Sequence, residues 1–146
     1  MSIVICALPA GEPDAAHPDA RVIVADEPES YPCRRCLTDA AVGDRLLLLP
    51  YDPFVNSSPY TGDGPVFVHA DGCEPHSPGR DVPDQLRGRL LAVRGYDAGS
   101  MMTASDVVHG ALLEDALRHV FSDQTTAFVH LHYARPGCFA CRVDRC

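Results

Sequence analysis

The chain contains no lysine. Its 146 residues include twelve basic side chains, and all twelve are arginine. The absence of lysine excludes a Schiff-base lysine, and with it ordinary pyridoxal phosphate chemistry. It also excludes the lysine of a phosphate-binding P-loop. Two broad classes of enzyme are therefore ruled out by composition alone.

Positive charge is scarce as well. The formal net charge is -8 at pH 7. A protein that binds nucleic acid needs a basic surface to meet the phosphates, and an anionic membrane surface attracts basic segments in the same way. We therefore expect neither nucleic acid nor membrane as a partner, which leaves a small molecule or another protein.

Long hydrophobic runs are also missing. The longest apolar run is residues 3–8, whereas a membrane-spanning helix needs roughly 20 residues. The same run lacks the preceding basic residues and the length of a signal peptide. We therefore expect a cytoplasmic protein.

The apolar patterns predict an α+β fold in a single domain over residues 1–146. Short apolar or β-branched runs predict strands at 3–8, 21–25, 45–51, 65–69, 88–96 and 125–133. Helical spacing of apolar residues around Leu113 and Leu117 predicts one principal helix over about 105–121, although Gly110 makes its first turn doubtful. The expected architecture is a mostly antiparallel sheet with this helix packed on one face and a Cys-x-x-Cys turn near each end of the chain.

Cysteine is the abundant residue type of chemical interest. Four of the seven cysteines form two Cys-x-x-Cys pairs, Cys33 with Cys36 and Cys138 with Cys141. In a reducing cytosol, paired cysteines more often bind metal or carry out redox chemistry than form structural disulfides. A tight turn places residues i and i+3 side by side, and four thiolates complete a closed tetrahedral zinc site. We predict one structural Zn²⁺ per chain on these four cysteines, with the unpaired Cys6 and Cys146 dispensable.

Thiol redox chemistry is the alternative for the same pairs. Arg34, Arg35 and Arg142 lie inside or next to the two pairs, where they could offset the negative charge of a zinc tetrathiolate. The same arginines would also lower the pKa of a reactive thiol. The sequence leaves both interpretations open.

Histidine provides a second candidate site. His130 and His132 are two residues apart on a predicted strand, so they face the same side. His69 closes another predicted strand, and Cys73 follows it together with His76 in the longest irregular stretch, 70–83. If the two strands are neighbours, His69, Cys73, His130 and His132 could form an open catalytic metal site, or Cys73 could act as a nucleophile with a histidine base. Histidines that are simply hydrogen-bonded within a strand are the alternative.

Three other side chains are candidates for an anion or polar-ligand pocket. They are Tyr60, Arg94 and Arg135, each close to a glycine or proline turn. Arginines next to such turns are also common on ordinary surfaces, so solvent exposure is the competing interpretation.

Several motifs, taken together and in order, resemble those of a bacterial family. They are residues 31–37 (YPCRRCL), 58–60 (SPY) with 64–70 (GPVFVHA), 93–98 (VRGYDA) and 137–142 (GCFACR). The family is domain of unknown function 1203, and the resemblance runs from about Val22 onward. It implies a single-domain bacterial protein and no particular activity.

Two functional hypotheses follow. The first is a zinc-clamped binding or accessory module. The second is a metal- or thiol-dependent enzyme that uses either the His69, Cys73, His130 and His132 region or the Cys pairs.

Overall fold

A computed structural model describes residues 2–146, whose eight strands form two antiparallel sheets. The elements are β1 (Ile3–Cys6), β2 (Arg21–Val24), β3 (Arg45–Tyr51), β4 (Gly64–His69), α1 (Asp84–Arg87), β5 (Leu90–Tyr96), β6 (Met102–His109), a 3₁₀ turn (Gly110–Leu112), α2 (Leu113–Val120), β7 (Phe128–Tyr133) and β8 (Phe139–Arg145). One sheet has the strand order β1-β8-β7-β5-β6, and the other has the order β2-β3-β4. Neither α-helix in this part of the chain is long and apolar enough to cross a membrane.

The main core lies between α2 and one face of the five-stranded sheet. Leu113 and Leu117 of α2 are fully buried against the sheet. On β7, Val129 and Leu131 point to the same core, because alternate residues of a strand face the same side. The helix is amphipathic and covers this face, which leaves the opposite face of the sheet for other contacts.

That opposite face is covered by the chain that follows β3. The ring of Phe54 lies 5.0 Å from the ring of Tyr96 on β5 and 4.7 Å from that of His130 on β7. Tyr51, at the end of β3, lies 6.0 Å from Phe139 on β8. Aromatic contacts therefore join the three-stranded sheet to the polar face of the five-stranded sheet.

The predicted fold class is confirmed, since the structure is mostly antiparallel sheet with one short principal helix. The predicted start of that helix is wrong, because Met102–His109 forms strand β6 beside β5. Val107 and Val108 favour a strand locally, and the helical spacing of apolar residues holds only from the 3₁₀ turn onward. Strand β8 was not predicted, since the second Cys pair was interpreted as a turn.

Gly110 permits a close approach between the 3₁₀ turn and α1. A Cβ atom at this position would lie 1.8 Å from the carbonyl oxygen of Leu86, which is backbone and cannot move aside easily. Gly110 also donates its backbone N–H to Arg89 at 2.7 Å. The glycine that weakens the helix start is therefore required by packing.

We expect Gly110→Ala to lower the free energy of unfolding by about 2 kcal/mol or more, since overpacking forces backbone shifts. Gly88→Ala is the matched control, because Gly88 also adjoins α1 and a Cβ there meets nothing within 4 Å. It should change stability by less than about 0.5 kcal/mol. Urea denaturation of both variants measures the difference, and equal midpoints would contradict this account of Gly110.

Candidate metal centre

Three thiols and one imidazole converge at the junction of β4 with two loops. The ligand atoms of Cys33, Cys36, His69 and Cys73 all lie within 4.8 Å of one another. The Sγ atoms of Cys33 and Cys73 are 3.8 Å apart, and Cys36 Sγ is 3.6 Å from His69 Nδ1. The edges of a tetrahedral zinc site are about 3.8 Å between two sulfurs and about 3.6 Å between sulfur and nitrogen, given bonds of about 2.3 and 2.0–2.1 Å. The group could therefore hold a metal ion.

A tight turn places the first two thiols side by side. The N–H of Leu37 donates to the carbonyl of Cys33 at 3.1 Å, and the N–H of Cys33 donates to the carbonyl of Thr38 at 3.1 Å. Leu37 closes the turn in the left-handed region, with φ of 54°, which costs a non-glycine residue roughly 1–2 kcal/mol. Its side chain is 1% exposed and packs into the main core, and this burial offsets the strain.

Backbone bonds attach this turn to β4. The N–H of Arg34 donates to the carbonyl of Phe67 at 2.9 Å, and Cys33 pairs with Phe67 in an isolated parallel bridge. His69 lies two residues further along β4, on the same face as Phe67. The attachment therefore carries the imidazole to the two thiols.

The loop after β4 supplies the fourth donor. It turns at Gly72, whose φ is 90°, and returns so that the N–H of His76 donates to the carbonyl of Arg35 at 2.9 Å. Cys73 lies between these two points and thus faces the turn. The irregular stretch 70–83 is folded back over the cysteines.

A carboxylate fixes the orientation of His69. Asp44 Oδ2 is 3.2 Å from His69 Nε2 and accepts from the N–H of Ala41 at 2.9 Å. With Nε2–H donating to this carboxylate, the lone pair of Nδ1 faces the three thiols. The same carboxylate–histidine arrangement orients metal-bound histidines in general.

The thiols influence each other's acidity. A hydrogen bond from Cys36 lowers the pKa of Cys33 to about 7, while the same contact raises the pKa of Cys36 to about 12. Burial raises the pKa of Cys73. A metal ion would displace the remaining thiol protons, so binding would release protons to solvent.

The second Cys pair lies outside the Cys/His group, so the structure does not bring the four predicted cysteines together. Cys141 is a β8 residue that is fully buried in the main core, where burial raises its pKa to about 12. Cys138 precedes β8, and its Sγ accepts from Arg34 Nη2 at 3.0 Å. Cys138 also packs against the main core, and neither cysteine belongs to the Cys/His group. Only Cys33 and Cys36 of the predicted set belong to the Cys/His group.

The predicted histidine site is also divided. His69 lies in the three-stranded sheet, whereas His130 and His132 share one face of β7 in the other sheet. His130 is fully buried among aromatic rings, and neither ring nitrogen has a hydrogen-bond partner in residues 2–146. Burial, followed by nearby positive charge, lowers the pKa of His130 to about 3. His69 and Cys73 therefore join the first Cys pair and not the β7 histidines.

The three residues predicted for an anion or polar-ligand pocket line two different cavities. Tyr60 and Arg94 line one cavity of about 290 Å³. Arg135 lines a larger cavity of about 690 Å³ on the other side of Cys138.

One sequence signal could have identified the observed ligand set. Cys33 and Cys36 are followed by His69 and Cys73, a Cys-x-x-Cys and His-x-x-x-Cys combination that supplies the three thiolates and one imidazole of a common zinc site. The second Cys pair favoured a different ligand set, because the two pairs together provide four identical ligands.

The fold and the site define a small antiparallel protein with a Cys₃His group that could hold a metal ion. The chain belongs to the family described as protein of unknown function (DUF1203), whose model matches residues 30–145. This match confirms the resemblance seen in the motifs and includes all four residues of the group. No curated protein and no solved structure matched the chain.

Acid sensitivity tests the environment of His130. The usual pKa of 6.5 falls to about 3 in the folded protein, so below pH 6.5 the unfolded chain binds a proton that the folded chain does not. Stability due to this group is therefore complete above pH 6.5 and is lost as the pH falls toward 3. When the pH is lowered from 7 to 4, the free energy of unfolding of the wild type should fall by about 3 kcal/mol more than that of His130→Phe.

His119→Gln is the control, because His119 is exposed. This variant should follow the wild-type profile. Urea denaturation across this pH range gives the free energies. Parallel profiles for His130→Phe and the wild type would contradict the buried neutral imidazole.

Proposed function

We propose that this protein binds one Zn²⁺ through Cys33, Cys36, His69 and Cys73, and that it acts as a zinc-clamped binding or accessory module. The observation that supports this most directly is the spacing of the donors. The sulfur–sulfur distance of 3.8 Å and the sulfur–nitrogen distance of 3.6 Å match the edges of a tetrahedral zinc site. The second Cys pair of the original expectation has no part in this proposal.

The donor types favour zinc and a structural role. Thiolates and imidazole suit zinc, whereas Mg²⁺ and Ca²⁺ prefer oxygen ligands. Four protein ligands fill a tetrahedral site and leave no position for substrate, in contrast to catalytic sites, which have three protein ligands and water. A clamp is therefore favoured over a metal-dependent enzyme.

The surrounding charge is consistent with a bound ion. Zn²⁺ with three thiolates and a neutral imidazole carries a net charge of about -1. Arg34 and Arg35 lie on the same turn, and no carboxylate within residues 2–146 forms an ion pair with either of them. The metal-bound site would supply the negative charge that these arginines lack.

The ion would tie the loop at 70–83 to the rest of the fold. This loop has few backbone bonds to other segments, among them His76 to Arg35 and the reciprocal pair between Gly79 and Ile5. The remaining surface, with its net charge of -8, would recognise a small molecule or a protein and not nucleic acid or membrane. A reducing compartment such as the cytoplasm would keep the three thiols of the site available for the metal.

Thiol redox chemistry is the second candidate. It is supported by the 3.8 Å separation of the Cys33 and Cys73 sulfurs and by the pKa of Cys33 of about 7. Metal content and free-thiol count on protein purified without chelator distinguish the two, because a zinc-bound protein has protected thiols.

We expect one zinc per chain, and loss of that zinc in Cys73→Ser. Cys138→Ser and Cys6→Ser serve as controls, since both cysteines are partly buried and lie outside the Cys/His group. Both controls should retain one zinc. Cys73→Ser and strong chelator should each lower the melting temperature, because zinc binding contributes on the order of 10 kcal/mol in small structural sites.

Metal content by mass spectrometry and melting by calorimetry give the result. Loss of zinc in Cys138→Ser with retention in Cys73→Ser would restore the four-cysteine assignment. A wild-type protein without zinc that readily forms a Cys33–Cys73 disulfide would favour redox chemistry.

Asp44→Asn tests the orientation of His69. Removing the partner of a metal-bound histidine typically weakens metal affinity by about 10–100-fold. Asp71→Asn is the control, because Asp71 is an exposed carboxylate near the same end of β4 that pairs only with Arg45, at 2.9 Å. Competition against a chromophoric chelator measures both affinities, and equal values for the two variants would contradict a role for Asp44.

A further inference from the structure

A second site lies away from the metal centre, in the cavity of about 290 Å³ between the chain after β3 and the polar face of the five-stranded sheet. Its size is at the lower limit for ligand cavities, which are usually about 300–1,000 Å³. Half of the ten aromatic residues of the chain line it. They are Tyr51, Phe54, Tyr60, Tyr96 and Phe139. A cavity of this size and composition suits a small molecule with a flat apolar part.

Arg94 supplies the cavity with positive charge. Within residues 2–146 its Nη1 donates to His132 Nε2 at 3.4 Å, and the Tyr96 hydroxyl lies close enough to interact with the guanidinium. Within residues 2–146 no carboxylate forms an ion pair with Arg94. A guanidinium has five N–H donors in a planar fork that matches a carboxylate with two parallel bonds. Most of these donors are left for a ligand.

His132 does not compete for that ligand. Its Nδ1 lies 3.0 Å from the carbonyl oxygen of Gly137, so Nδ1 carries the proton and Nε2 accepts from Arg94. Burial keeps this imidazole neutral, with its pKa lowered to about 4. The histidine therefore positions the guanidinium and adds no charge.

The aromatic walls offer both ring edges and ring faces. Tyr60 and Tyr96 meet at an interplanar angle of 68°, with ring centroids 5.6 Å apart, and Phe54 meets Tyr96 at 86°. Perpendicular rings of this kind accept a further planar ring by edge-to-face or offset stacking. Tyr60 remains 43% exposed, so this wall opens to solvent and provides a path for entry.

A buried imidazole and an exposed carboxylate lie around the cavity. Behind its Phe54 and Phe139 walls lies His130, 4.7 and 5.2 Å away between ring centroids, with both nitrogens lacking partners. A buried polar group without a partner is destabilising. Among residues 2–146, Asp63 is the one carboxylate that lines the cavity, and it is exposed, so solvent screens its repulsion of an anion.

We propose that this cavity binds a small aromatic carboxylate, with the carboxylate held by Arg94 and the ring held among Tyr60, Tyr96 and Phe54. One arginine and apolar walls suit a singly charged carboxylate better than a phosphate, which needs several donors. The proposal is independent of the metal centre, since no residue of the Cys/His group lines this cavity.

Benzoate is the probe. We expect saturable one-to-one binding to the wild-type protein as purified, with a Kd of about 1 mM or tighter, measured by calorimetry or by NMR titration. Benzyl alcohol, which lacks the charge, and cyclohexanecarboxylate, which lacks the flat ring, should each bind at least about tenfold more weakly. Equal binding of all three compounds would overturn the proposal, as would no detectable binding of benzoate at about 10 mM.

Arg94→Met should weaken benzoate binding at least about tenfold. Arg135→Met is the matched control, because it removes the same charge from an exposed neighbouring turn outside the cavity and should bind benzoate as the wild type does. Circular dichroism and the melting temperature verify that each variant is folded. If Arg94→Met does not fold, Arg94→Lys keeps the charge but loses the planar fork, and it too should bind more weakly. Unchanged benzoate affinity in a folded Arg94 variant would overturn the assignment.

Discussion

A buried guanidinium, for which residues 2–146 provide no carboxylate partner, lies at the junction of the two sheets. Arg34 is 1% exposed, and its side chain donates to the carbonyls of Pro32 and Phe139 at 2.6 and 2.8 Å and to Cys138 Sγ at 3.0 Å. Burying a charged group is expensive unless its donors are satisfied. Because its own backbone N–H bonds to Phe67 of β4, this one residue holds the Cys-x-x-Cys turn, β4 and β8 in a single arrangement.

The geometry of the metal centre depends on that arrangement. Cys33 and Cys36 lie on the turn that Arg34 anchors, and His69 is carried to them by the strand to which the turn is bonded. These three donors therefore belong to rigid, well-packed segments. Cys73 comes from a loop with few bonds of its own, so an ion would mainly order that loop. Binding to a largely preformed site loses less conformational entropy than binding to a flexible one.

The sequence predicts what depends on local pattern and misses what depends on distant contacts. Alternation along β7 and the helical spacing around Leu117 were sufficient for the fold class, because each is dictated by neighbouring residues. Strand β6 is stabilised by pairing with β5, and its two adjacent valines are too short a local pattern to separate a strand from a helix start. For the same reason the Cys-x-x-Cys motif has the same sequence pattern in a turn and in extended chain. Only the turn brings the two sulfurs together, as in Cys33 and Cys36. The spacing of His69 and Cys73 could have suggested Cys73 as a ligand, but its position depends on a loop that folds back over the turn.

On the polar face of the five-stranded sheet, one positive charge has no carboxylate partner within residues 2–146. Arg94, His130 and Arg142 lie directly opposite one another on β5, β7 and β8, a row in which three cations would repel each other. His130 stays neutral through burial, and Arg142 pairs with Asp144 at 2.7 Å and lies over the ring of Phe128. Within residues 2–146 these adjustments leave Arg94 as the member of the row that is charged and has no carboxylate. The half-buried guanidinium of Arg94 lines the aromatic cavity, and this positive charge is the feature on which the proposed carboxylate site depends.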